Sequence, residues 1–323
     1  MNRGPEQGIE RTSTLPGSNG FRPHALRGRL LVFAATALWG TTATLARFVF
    51  HQRRVPALAV VELRLLIAAV LLALFLAWRK PRLLVIDRRD AGYFVALGLL
   101  GVAAVQGSYY RSISVLGVGL AILIQYLAPV LIVLYDRLRG RPVRRQMWIA
   151  VAAAVAGVSL VIGNVDPAAV HARAIDWIIG FSSAFSFAFY IVFSKRGLAR
   201  YAAETVLVYT FGIAAMFWAI VTPPWKIVAA GYDAGLWWMF VALGIFSTLV
   251  PFALFYAGLR HLSAAEAGIV ATLEPVVAVL TAALVLGEWL RPLQYLGAAM
   301  VLIAAAMTTI AGPELVTARV ERG

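Results

Sequence analysis

From Leu30 onward the chain is a succession of long apolar runs, broken at intervals by short clusters of Arg, Pro and Gly. A helix of roughly 20 apolar residues spans the ~30 Å hydrocarbon core of a bilayer. Between its punctuating residues, the sequence predicts ten such helices. The first five run over Leu30–Phe50, Ala57–Trp78, Ala91–Arg111, Val115–Tyr135 and Met147–Asn164, and the second five over Asp176–Ser194, Glu204–Thr222, Gly235–Gly258, Ser263–Leu286 and Pro292–Gly312. Residues 1–28 mix Gly, Pro, Ser and charge without periodicity and read as a flexible tail, as do residues 313–323. Ala35, Thr36 and Ala37 imitate a signal-peptide cleavage site. The run they sit in continues to Phe50, however, and takes part in an internal repeat, so it reads as a mature span.

That repeat organises the rest. Phe94-Val95-Ala96-Leu97-Gly98 recurs as Phe240-Val241-Ala242-Leu243-Gly244, an offset of 146 residues. Tyr110 and Tyr256 keep the same register, as do the mid-helix prolines Pro129 and Pro275. With a two-residue adjustment, Trp39 and Arg47 in the first helix match Phe187 and Lys195 in the sixth. The chain therefore divides into two units, residues 29–165 and 174–312, of five helices each. An odd number of spans obliges the second unit to enter the membrane from the opposite side.

Charge tests that inversion. The loop after the second helix carries Arg79, Lys80, Arg82, Arg88 and Arg89, and the loop after the fourth carries Arg137, Arg139, Arg141, Arg144 and Arg145. Their counterparts in the second unit carry only Lys226 and Arg291, whereas the loop after the sixth helix carries Lys195, Arg196 and Arg200. The basic bias therefore inverts with the repeat and places both termini in the cytoplasm, Arg53 and Arg54 being the exceptions. The expected fold is an all-α integral membrane protein, with ten transmembrane helices arranged as two inverted five-helix repeats around a central cavity.

Composition agrees: 61% hydrophobic and 14% charged residues are far from a soluble domain. The net charge of +14 lies mostly in short loops and comes with no nucleic-acid-binding motif, so its partner is membrane lipid and not nucleic acid. Cysteine is absent and the four histidines are scattered near helix ends, which leaves no thiol chemistry and no clustered metal site. No HExxH, GxSxG or Walker A pattern occurs, and Gly117-Val118-Gly119 is too short for a dinucleotide loop, so catalysis and cofactors are not expected.

Intramembrane charges and helix breakers supply the candidate site. Glu274, near the middle of the ninth helix, needs a polar cavity, a partner or a proton; it is either a solute or proton group or a structural hydrogen-bond acceptor. Pro129 and Pro275 each delete a helix hydrogen bond in corresponding helices, which marks either a midplane site or a matter of shape alone. Pro251 is a third kink candidate. Glu62 and Arg64 in the second helix are two apart and face different ways, so each needs its own partner; Arg64 anchors an anionic group, or forms an ion pair, or snorkels. Polar and aromatic residues at helical spacing complete a candidate cavity lining: Trp39 and Thr42; Gln106 and Tyr110; Gln125 and Tyr126; Ser183, Ser186 and Tyr190; Ser247, Phe255 and Tyr256. Such hydroxyls serve equally in helix packing.

Leu38-Trp39-Gly40, Arg64, Pro129, Leu273-Glu274-Pro275, Gly287-Glu288 and Gln294-Tyr295-Leu296-Gly297 together resemble the EamA-type branch of the drug/metabolite transporter superfamily over roughly Leu30 to Gly312. The resemblance implies secondary-active export of a small-molecule solute, an amino acid or related metabolite, by alternating access in a bacterial inner membrane. Unlike the small multidrug relatives, the chain has no carboxylate in its first helix, and Ala128-Pro129 stands where a second Glu-Pro would fall. Proton coupling would therefore rest on Glu274 without a symmetric partner. The contrasting class is a non-transporting membrane protein, either an accessory subunit or an intramembrane enzyme.

Overall fold

The computed structural model describes residues 23–51, 53, 55–116, 118–163, 172–286 and 291–310. Residues 1–22 and 313–323 of the predicted tails, the ends of the predicted fifth and tenth helices at residues 164 and 311–312, and Arg54, Gly117, His171, Gly287, Glu288 and Trp289 lie outside the described residues. No strand occurs among the residues described. The helices are α1 (Pro23–His51), α2 (Ala57–Arg79), α3 (Arg88–Ile113), α4 (Gly119–Leu138), α5 (Arg145–Ile162), α6 (Ala174–Leu198), α7 (Ala203–Val221), α8 (Ala234–Leu259), α9 (Ala264–Ala271 and Glu274–Leu286) and α10 (Pro292–Ile310). Among the described residues eight stretches, those of α2 to α9, are long and apolar enough to cross a membrane. Large apolar side chains face outward from them, with Ile220 81% and Leu284 87% exposed, a surface suited to lipid.

Local chemistry sets the helix ends. Gly140 and Gly163 close α4 and α5 at φ +72°, a left-handed conformation that costs glycine little. Asp233 caps α8 by accepting from the Leu236 amide at 2.9 Å. Ser263 and Glu266 form a reciprocal capping box on α9. The helix α1 begins at Pro23, within the segment expected to be tail. Proline is at ease in a first helical turn, and Gly28 lets α1 lie against α8: a Cβ on Gly28 would stand 2.8 Å from His261 Cβ and 3.1 Å from the Gly258 carbonyl.

Two irregularities occur in pairs. α3 widens to a π-helix over Leu97–Ala103 and α8 over Leu243–Leu249, each beginning within the repeated pentapeptide and 146 residues apart. α4 is interrupted by a turn at Tyr126 and Leu127, and α9 by one at Thr272 and Leu273, again 146 apart and just ahead of Pro129 and Pro275. Packing at the π segments is reciprocal. A Cβ on Gly98 would meet Ile213 Cβ at 2.8 Å and the Thr210 carbonyl at 3.3 Å. One on Gly244 would meet Ile67 Cβ at 2.9 Å and the Arg64 carbonyl at 3.5 Å. Ile67 and Ile213, like Arg64 and Thr210, are themselves 146 apart, so α3 docks on α7 as α8 docks on α2.

At the end of the molecule that holds the α2–α3 connection, polar contacts link residues distant in sequence. Arg29 pairs with Glu266 at 3.2 Å, Lys80 with Glu204 at 3.2 Å and Arg200 with Asp90 at 2.7 Å. The Tyr201 hydroxyl also donates to Asp90. At the opposite end Arg53, one of the two exceptions to the loop-charge rule, pairs with Asp233, and Arg111 with Asp176 at 3.2 Å.

Candidate functional site

Arg64 is the nearest thing to a centre. It lies on the α2 face that meets the π segment of α8, and its guanidinium donates through Nη1 to Ser247 Oγ at 3.2 Å and through Nη2 to Gln106 Oε1. The Tyr110 ring lies 5.7 Å from its Cζ. Three predicted residues, Gln106, Tyr110 and Ser247, thus converge on one cation. Both π segments contribute: Ser247 sits inside the second, and Gln106 lies three residues past the end of the first. An added residue in a helical turn re-aims the side chains beyond it, which is why π segments recur at functional sites. Arg64 keeps some exposure, and its Nε, though buried, has no partner among the described residues.

A second group forms at the broken helices. Glu274 opens the second piece of α9, and the hydroxyl of Tyr126, in the corresponding break of α4, donates to its Oε2 at 2.7 Å. One hydrogen bond thereby joins the two interruptions. α1 closes over this point: a Cβ on Gly40 would stand 2.8 Å from the Glu274 carbonyl and 2.9 Å from the Ala278 nitrogen, so the Trp39-Gly40 pair reads as a bulky ring beside an obligatory gap. Trp39 packs against Phe252 and Phe255 with centroids 5.1 and 5.7 Å away. Tyr190 stacks on Phe255, Tyr256 and Phe187, and Phe187 in turn meets Tyr126 edge-on at 6.2 Å. An aromatic wall thus runs from α1 through α8 and α6 to the carboxyl of Glu274.

Other predicted residues fall outside these groups. Thr42 and Ser183 spend their hydroxyls on their own helices, donating to the Leu38 carbonyl at 2.6 Å and the Gly180 carbonyl at 2.7 Å. Ser186 is half-buried on α6, and Gln125 Oε1, next to the α4 break, is buried without a partner among the described residues. Pro251 comes directly after the second π segment, at the start of the α-helical remainder of α8.

Two residues of this region, Phe252 and Ser194, are absent from the sequence-derived set. Phe252 touches Trp39, Tyr190 and Phe211, and Ser194 shares a 2.8 Å hydrogen bond with Tyr256. Phe252 does carry a sequence signal, because it stands one helical turn before Phe255 and Tyr256.

Glu62 belongs to neither group. It is fully buried, and neither carboxyl oxygen has a hydrogen-bond partner among the described residues. An unsatisfied buried polar group costs roughly 1–3 kcal/mol. Glu62→Met, of similar length and apolar, is accordingly expected to raise the thermal midpoint of the purified protein; a fall measured in the same detergent would show that the carboxyl has a stabilising partner.

Apolar helices long enough to cross a bilayer, with a guanidinium held at the π segments and a carboxyl at the broken helices, are features of a membrane transport protein. The EamA-like transporter family model matches residues 26–163 and again 176–310, and the chain belongs to that family. It is 26% identical to the uncharacterized inner membrane transporter YicL of Salmonella typhimurium, over 85% of this chain and 93% of the relative. It is 26% identical to the threonine/homoserine exporter RhtA of Escherichia coli K12, over 92% of this chain and 95% of the relative. A solved crystal structure shares the fold at a TM-score of 0.71 with 21% identity, covering 88% of this chain and 96% of the other.

Proposed function

We propose that this protein is a secondary-active exporter of small zwitterionic metabolites, amino acids foremost, in a bacterial inner membrane. The observation that carries the reading is the paired arrangement of Arg64, held by Gln106 and Ser247, and Glu274, held by Tyr126. An α-amino acid presents one carboxylate and one ammonium. Arg64 offers donors for the first and Glu274 an acceptor for the second, while the Trp39, Phe252 and Phe255 wall takes an apolar side chain. The RhtA relative, named for threonine and homoserine, supports an amino-acid solute.

α1 and α10 complete the span count as the ninth and tenth transmembrane helices. The units 29–165 and 174–312 then form two inverted five-helix repeats around a central cavity, with both termini cytoplasmic. The twice-matched family model, the paired irregularities and the reciprocal Gly98 and Gly244 contacts support that arrangement. In alternating access the two units rock about a site at their interface. The Arg29–Glu266, Lys80–Glu204 and Asp90–Arg200 pairs then close the cytoplasmic end and break when it opens.

Glu274 is the group that binds or releases a proton in that cycle. Glu274→Gln keeps an acceptor for Tyr126 and removes the titration, so membrane expression is expected to match wild type while the pH dependence of efflux flattens. The check is the release of a labelled amino acid from loaded cells or vesicles at several pH values. An unchanged profile removes the proton role. In cells, overproduction is expected to raise extracellular amino acids and resistance to toxic amino-acid analogues, and no change in either would count against the solute class.

A further inference from the structure

At the end of α2 an exposed apolar stripe runs directly into a cationic cleft. Leu71, Leu74, Phe75 and Trp78 recur at helical spacing and are all exposed, Trp78 to 75%. A tryptophan so placed at a span terminus sits at headgroup level. Immediately beyond it, Arg79, Lys80, Pro81, Arg82 and Leu83, together with Ala202 and Glu204 at the start of α7, line a cleft of about 550 Å³. Lys80 and Glu204 neutralise each other across it at 3.2 Å. Arg79 and Arg82 have no acidic partner among the described residues, and the Arg79 guanidinium is held 4.1 Å over the Trp78 ring. The N-cap of α7, Ala202, makes no side-chain hydrogen bond, and the first turn carries Glu204, whose carboxylate accepts from its own backbone amide.

We propose that this cleft binds the phosphate of an anionic phospholipid headgroup. Arg79 and Arg82 clamp the phosphate, and the acyl chains lie along Leu71, Leu74 and Phe75. A free phosphate would use the cations and leave the stripe idle; a phospholipid uses both, and the stripe leads to the cations without interruption. The inference requires only that α2 crosses the bilayer. Because the cleft walls come from residues 79–83 and 202–204, an occupant also ties the end of α2 to the start of α7.

The test is native mass spectrometry and thermal denaturation of the full chain in mild detergent, with phosphatidylglycerol, phosphatidylcholine, glycerol phosphate or inorganic phosphate added separately. Phosphatidylglycerol is expected to remain bound and to raise the thermal midpoint, and the other three to do neither at equal concentration. Arg79→Gln with Arg82→Gln is expected to weaken phosphatidylglycerol retention about tenfold or more. The paired Lys replacements at 79 and 82 should retain most of it. Arg144→Gln with Arg145→Gln, which removes the same charge from another exposed basic loop, should leave it unchanged. Equal stabilisation by glycerol phosphate or inorganic phosphate would make this a soluble-anion site and overturn the proposal. So would equal retention of phosphatidylcholine, or equal losses from the two Arg pairs, which would mean a diffuse charge effect.

Discussion

Arg64→Gln is expected to reduce amino-acid transport about 100-fold or more while leaving folded protein in the membrane. Losing a charge-assisted partner at a desolvated site costs roughly 2–5 kcal/mol, and 1.4 kcal/mol is a factor of ten. Structurally the loss is small. Gln106 and Ser247 are neutral, can bond each other or water, and are not left holding an isolated charge. Arg64→Lys is expected to rescue poorly, because one ammonium cannot reproduce a planar fork whose two Nη atoms reach α8 and α3 at once. The position equivalent by the 146-residue register is Thr210, whose hydroxyl donates to its own helix at the Val206 carbonyl, 2.8 Å away. The repeat therefore supplies the backbone twice and the cation once. Thr210→Val should leave transport within about twofold, because removing a neutral hydroxyl that bonds its own helix and reaches the Tyr256 hydroxyl costs only about 1 kcal/mol of stability. Initial rates of labelled amino-acid flux, normalised to folded protein, check all three variants.

The largest effect on folding is expected where α5 crosses α10. A Cβ on Gly297 would stand 2.6 Å from the Gly157 carbonyl, 2.7 Å from Leu160 Cβ and 2.7 Å from the Val161 nitrogen. One on Gly157 would meet the Gly297 carbonyl at 2.8 Å and the Val301 nitrogen at 3.0 Å. The obstacles are mainly backbone on both sides, so neither helix can yield by changing a rotamer. Close approach through small residues is what holds membrane helices together, since burial from lipid offers no hydrophobic gain. Gly297→Val and Gly157→Val are each expected to cost about 3 kcal/mol or more, at the upper end of overpacking penalties. The result should be loss of a monodisperse peak in size-exclusion chromatography and a sharp fall in thermal midpoint. Gln294, whose side-chain amide donates to the Val161 carbonyl at 2.8 Å, pins the same crossing, and its loss should be milder. The Gln294 to Gly297 run, one of the motifs carrying the family resemblance, thus marks a packing device.

These contrasts show which features a sequence discloses. Apolar run length locates the membrane spans, because hydrocarbon thickness imposes itself on each helix separately. The pentapeptide at Phe94 and Phe240 discloses the repeat. It does not disclose that each copy leads into a π segment, because that depends on Gly98 and Gly244 docking against Ile213 and Ile67 more than 100 residues away. Tyr126 and Glu274 are legible as polar groups near breakers, but their mutual hydrogen bond depends on how α4 and α9 are brought together. Arg64 presents the same difficulty: its two-residue separation from Glu62 excludes that pair, and only the tertiary structure supplies Gln106 and Ser247. Glu62 is the reverse case, an intramembrane charge whose sequence context demands a partner that the described residues do not provide. Thr42 and Ser183 show why hydroxyls are weak indicators, since a helix offers its own carbonyls at every turn.

Counterflow in proteoliposomes shows whether the protein carries amino acids across a bilayer. Purified protein is reconstituted, loaded with unlabelled threonine, homoserine or another member of an amino-acid panel, and exposed to trace labelled solute outside. Uptake well above that of empty vesicles is expected for at least one small zwitterion, and Arg64→Gln vesicles should fall back toward the empty-vesicle level. No counterflow by folded wild-type protein across the whole panel would mean that amino acids are not its solutes.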